Sequence, residues 1–153
     1  KRQVRASLLR LGGSLDKTVG GPPISHTLGQ TVPRRSLFFR QDKERQMVFL
    51  SLFDGAKVNE CYRRVPTVAP QQALAMYNSR LASEQAVRLS DQIQGHRPGA
   101  VVVALFETIL SRGATPRELR ECIAYLKDFG DMRRGRQQLA LVLLNHNDFL
   151  SIR

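Results

Sequence analysis

From Pro70 onward the chain is cut by glycine and proline at near-regular intervals, and each interval carries apolar residues at helical spacing. That pattern leaves little room for anything but packed helices. Pro70 suits the first turn of a helix, where its missing N–H costs nothing. Leu74, Tyr77, Leu81, Ala82, Ala86, Leu89 and Ile93 then form one stripe, which predicts a long helix over 70–93. Gly95 and the pair Pro98-Gly99 end it. The next helix, over 100–110, is apolar nearly all round its first two turns and is expected to be central. Gly113 closes it.

Thr115-Pro116-Arg117-Glu118 has the makings of a capping box, with a capping hydroxyl, a proline in the first turn and a glutamate three residues after the cap. Leu119, Cys122, Ile123, Leu126 and Phe129 continue as a stripe, and Lys127 near the end complements the helix dipole. Gly130 stops this helix, and a last one is expected over 134–144. The polar string Asn145-His146-Asn147-Asp148 follows, with Asn145 as the C-terminal cap. Asn78, a poor residue for a helix interior, is expected to reach a loop through a buried side-chain bond.

The N-terminal side is less regular. Val4, Leu8, Leu11 and Leu15 recur at helical spacing, with Arg2, Arg5 and Arg10 on other faces, and Gly12-Gly13 reads as a stop. Residues 18–69 read as a long irregular insert. Gly20-Gly21-Pro22-Pro23 fits inside neither regular element. Residues 36–40 are expected as an extended arm or small edge strand, and 44–53 as a short helix with Met47, Leu50 and Phe53 on one side. The expected fold is therefore one all-α domain over 1–153, of about five to six helices, with an irregular Gly/Pro- and Arg-containing insert. At 153 residues and 42% hydrophobic content the chain can bury a core. No apolar run approaches the length of a membrane span, the longest being residues 100–106. The chain opens on Lys1 without a signal peptide, so a fragment or processed product of a longer protein is expected.

The formal net charge is +11, and it is uneven: residues 1–64 hold 13 Lys/Arg against 5 Asp/Glu. Of the 24 basic residues 19 are arginine, the residue that binds planar anions bidentately. An anionic partner is one reading; a solvated basic surface with internal ion pairs is the other. Arg34, Arg35, Arg63 and Arg64 could form an anion clamp if the insert folds back on itself. Asp42, Asp54 and Glu60 lie in the same insert and could equally pair with them. These four arginines are the candidate anion-binding residues.

Other chemistries find little support. Cys61 and Cys122 are far apart and belong to no Cys-x-x-Cys, so they read as two small buried hydrophobes or one disulfide. His26, His96 and His146 have no second ligand three or four residues away, and no metal or other cofactor is expected. His146 with Asp148 could be drawn as a base and its orienter, but both read better as surface polar residues. No Gly-x-Ser-x-Gly elbow is present, and no catalytic residue is assigned. Residues 100–129 have the outline of a helix-turn-helix. However, Glu118, Glu121 and Asp128 sit on the would-be reading helix beside Arg117 and Arg120, and they oppose phosphate attraction. Nucleic acid is thus not an expected partner.

Several strings together resemble one family. They are Gly20-Gly21-Pro22-Pro23, Arg34-Arg35-Ser36-Leu37-Phe38, Phe49-Leu50-Ser51-Leu52-Phe53-Asp54, Arg63-Arg64-Val65-Pro66-Thr67-Val68-Ala69-Pro70-Gln71-Gln72-Ala73-Leu74, Asn78-Ser79 and Leu143-Leu144-Asn145-His146-Asn147-Asp148-Phe149. The chain resembles the C-terminal domain of unknown function of large planctomycete envelope proteins that also carry cytochrome-c-like modules. The resemblance implies helical character, a cell-envelope or periplasm-like location, and a longer parent chain whose other domains are partners. It carries over no catalytic residue, and the heme motif Cys-x-x-Cys-His is absent here. The expected role is a non-catalytic binding or structural module, with an anionic polysaccharide or a sister domain as its ligand. The alternatives are a fragment of a polysaccharide-degrading enzyme completed by upstream residues, and a nucleic-acid-binding helical domain.

Overall fold

The computed structural model describes residues 2–40, 53, 70–93, 95 and 97–150. The described part is all-α, with no strand among its residues. Seven helices follow one another: α1 (Arg2–Leu11), α2 (Pro70–Tyr77), α3 (Arg80–Gln92), α4 (Pro98–Leu110), α5 (Pro116–Asp128), α6 (Met132–Leu144) and the single turn α7 (Asn147–Leu150). Two short 3-10 turns, His26–Gln30 and Ser36–Phe38, interrupt the loop after α1. The helix expected over 44–53 lies outside the described residues, apart from Phe53, which is buried in the core.

The core sits where α3, α4 and α6 meet. α3 and α6 form the principal pair, α4 packs on α5 and α6, and α1 leans on α3. Ala82, Ala86 and Leu89 of α3 join Val101, Val102, Leu105, Phe106 and Ile109 of α4 in this interior. Leu139, Ala140, Leu143 and Leu144 complete it from α6. Gly135 lets α6 come close to α5: a Cβ there would stand 3.2 Å from Leu126 Cδ2.

The ends of the helices follow their sequence signals. Gly12 and Gly13 close α1 in a Schellman motif, with Ser14 N–H bonded to Leu9 O (2.9 Å), Gly13 N–H to Arg10 O (3.1 Å) and Gly13 in the left-handed region at φ 68°. The capping box of α5 is complete: Thr115 Oγ1 accepts from Glu118 N–H, and Glu118 Oε2 accepts from Thr115 N–H at 2.7 Å. Asn145 caps α6, its Nδ2 donating to Leu141 O.

Four expectations need correction. The helix over 70–93 is two helices. Ser79, buried and in an extended conformation, caps α3 by accepting from Ala82 N–H. The break changes which residues face inward. Met76 and Gln72 of α2 are buried, whereas Leu74 and Tyr77 are 62% and 56% exposed. Asn78 lies at the break and is exposed, so it is not a buried link to a loop. Residues 36–40 are neither strand nor arm: a 3-10 turn precedes Phe39, which forms an isolated bridge with Ile24. Finally, Arg5, expected on another face than Val4 and Leu8, is fully buried as they are.

Candidate functional site

Two groups of contacts made by described arginines hold structure together, one around Arg5 and Arg34 and one around Arg112. The first surrounds the loop after α1. Val4, Arg5, Leu8 and Leu9 form the buried face of α1, and the loop packs across it. Arg5 Nε donates to Gly29 O at 3.0 Å, Nη2 to Val32 O at 2.6 Å, and Nη1 to Arg34 O. The guanidinium carbon lies 4.9 Å from the centre of the Phe39 ring. Burial pushes Arg5 down to about 10, so it still carries its charge at neutral pH. Three converging carbonyl dipoles and an aromatic face offset the loss of hydration.

Arg34 continues the same arrangement one layer out. Its Nη2 donates to Thr18 O (2.8 Å) and Gly20 O (2.7 Å), and its guanidinium lies 4.2 Å from the centre of the Phe38 ring. Asp16 Oδ2 stands 3.8 Å from Arg34 Nε. The Asp16 carboxyl is held below its usual range, first by the Thr18 hydroxyl and backbone N–H and last by Arg34. Gly20 and Gly21 take left-handed φ values of 85° and 96°, where only glycine fits without strain. Arg35, next to Arg34, is exposed. Arg63 and Arg64 lie outside the described residues, as do Asp42, Asp54, Glu60 and Cys61. Of the four candidate anion ligands, then, Arg34 has its Nη2 engaged by the loop and Arg35 is exposed beside it.

The second group joins three helix ends. Arg112 donates through Nη1 and Nη2 to Glu118 (3.0 and 2.8 Å) and through Nε to Asp148 Oδ2 (2.8 Å), with its guanidinium 5.4 Å from the Phe106 ring centre. Glu118 is held down to about 2, chiefly by Arg112 and then by the Thr115 N–H. The fork spans the end of α4, the cap of α5 and α7. His146 Nδ1 accepts from Asp148 N–H at 3.1 Å, a local turn contact. Arg117 pairs with Glu121, and Arg133 with Asp91. Cys122 is a free thiol, half-buried, and its pKa is raised first by burial and then by Glu118 and Glu121. Among the described residues no three His, Cys, Asp or Glu side chains gather to hold a metal ion, and no helix is long and apolar enough to cross a membrane.

Residues 1–126 match the profile of a family described as PSD1, protein of unknown function (DUF1553). The chain belongs to this family. No curated protein and no solved structure matches it. The DUF1553 match takes in α1 to α4 and stops inside α5, so α6 and its share of the core lie beyond it. Sequence reasoning about this DUF1553 chain overlooked Arg5. The signal was there: Arg5 stands four residues before Leu9, exactly as Val4 stands before Leu8, so one face of α1 takes in all four.

Proposed function

We propose that this chain is a non-catalytic module of a larger cell-envelope protein of the planctomycete type, one that also carries cytochrome-c-like modules. In this reading it meets an anionic polysaccharide, or an acidic face of a sister domain, through arginines of its N-terminal insert. The observation that carries the reading is the division of labour in the Arg34-Arg35 pair. Arg34 is tied to the carbonyls of Thr18 and Gly20, and exposed Arg35 extends from the backbone that this contact fixes. A loop ordered before binding loses less conformational freedom when a polyanion arrives. Arg63 and Arg64 are the proposed second half of the contact.

Salt-gradient elution from immobilised heparin, a sulfated uronic polysaccharide, tests this. Arg35→Ala and the Arg63→Ala/Arg64→Ala double variant should elute at lower salt, each lost contact lowering the slope of log affinity against log salt by roughly one. Arg120→Ala, on the exposed face of α5, is the control for Arg35→Ala, equal to it in charge removed, and should elute later than it does. A shift in Arg120→Ala equal to that in Arg35→Ala, or retention on duplex DNA equal to that on heparin, would reduce the effect to bulk charge and refute the reading. A fall in Tm of the double variant with unchanged heparin retention would make Arg63 and Arg64 structural.

A further inference from the structure

The contacts of Arg5 serve a segment rather than a side chain, because all three of its acceptors are backbone carbonyls. They lie at residues 29, 32 and 34, within a stretch that has little regular bonding of its own. Ile24 and Phe39 form an isolated bridge, with Ile24 N–H bonded to Phe38 O (2.9 Å) and Arg40 N–H to Ile24 O (2.8 Å). Asp16 N–H bonds to Pro33 O at 3.0 Å. Two single 3-10 turns and the Arg34 Nη2 bonds to Thr18 O and Gly20 O supply the rest. Phe39 is the buried apolar anchor, with Ile24 and Val32 packed at the edge of the core. At the upstream end stand Gly20 and Gly21, where a pivot strains no side chain.

We propose that Arg5 is a latch: its guanidinium, forked across the carbonyls of Gly29, Val32 and Arg34, closes residues 24–40 as a strap over α1 that opens as one unit, separately from the helices α3, α4 and α6.

Two opposing effects keep such a strap poised. Closed, it satisfies Arg5 and buries Phe39. It also holds a cation away from water, and opening returns that cation to solvent. Because the latch grips backbone, it reads the path of the strap and not its sequence. The planar fork of arginine reaches three carbonyls at once, which a lysine ammonium on a flexible stem does not reproduce. Opening would carry the Arg34-Arg35 pair with it, so the latch governs how Arg35 is displayed. The latch closes the strap whether or not Arg35 meets a polyanion.

Amide hydrogen exchange on the full chain tests the proposal, comparing the wild type with Arg5→Lys. The expected result is exchange at least 10-fold faster at Ile24, Arg40 and Asp16 in the variant, with the amides of α3 and α6 unchanged. Rates equal to wild type, or one common acceleration through strap and helices, would overturn it. If Arg5→Lys does not fold, the wild type decides in low denaturant. Strap amides opening together below the α3 and α6 amides support the latch, and a single common opening refutes it.

Discussion

Gly12 shows how closely single residues are fitted where α1 crosses α3. A Cβ at this position would lie 3.2 Å from Gln85 Cβ and 2.9 Å from Gln85 Cδ. Gln85 has little freedom to retreat, since it is buried and its Oε1 accepts from Ser14 Oγ at 2.6 Å. One methyl group therefore has to push the two helices apart or break that bond. Gly12→Ala is expected to destabilise the protein by about 1–3 kcal/mol, the usual range for overpacking. Gly113 offers the contrast, as nothing stands within 4 Å of a Cβ built there. Gly113→Ala is expected to stay within about 0.5 kcal/mol of wild type, or to gain slightly from a less flexible unfolded chain. Paired thermal melts of the two variants measure the difference, and equal Tm values would mean that the α1–α3 crossing is looser than its geometry.

At the scale of elements, the Arg112 fork makes one helix end sensitive to acid. Glu118 sits at about 2 in the fold against an ordinary 4.5, chiefly through Arg112. Because the folded value is the lower one, its contribution is complete above pH 4.5 and is lost as pH falls toward 2. The group is partly open to water, so the contribution is about 1 kcal/mol rather than the full linkage value. Denaturant melts of wild type and Glu118→Gln should converge as pH falls from 5 to about 2.5; a constant gap over that interval would show that the fork does not couple to this proton. The cap that Glu118 completes was legible because it is local: hydroxyl, proline and glutamate lie within four residues of one another. The break between α2 and α3 was less legible. Its signal, Asn78-Ser79, lies inside an apolar stripe that continues at helical spacing across it. Periodicity cannot register a change of direction when both halves keep the same period. The loop contacts of Arg5 were legible least of all, because their acceptors are carbonyls 24 to 29 residues away, and every residue type carries a carbonyl.

For the whole molecule, the all-α class could be read from punctuation and period, whereas the way the core is shared among helices could not. That distribution makes the boundary of the family match informative. Residues 1–126 contain α1 to α4 and most of α5, but α6 is the principal partner of α3 and also packs on α4 and α5. Leu139, Ala140, Leu141, Leu143 and Leu144 are all buried along it. Each fully buried leucine contributes about 1.5–3 kcal/mol, and the net stability of a domain is only about 5–15 kcal/mol. Removing α6 would also expose Ala82, Ala86 and Leu89 of α3 and the facing side of α4. The segment 1–126 alone is therefore expected to lack a cooperative thermal transition and to bind a hydrophobic dye, while the full chain melts in one step. Leu143→Ala in the full chain should lower stability by about 2–5 kcal/mol, which for a protein of this size is a Tm drop of at least about 4 °C. A sharp melt from residues 1–126 would mean that the family unit holds its fold without α6, and that the last helices only decorate it.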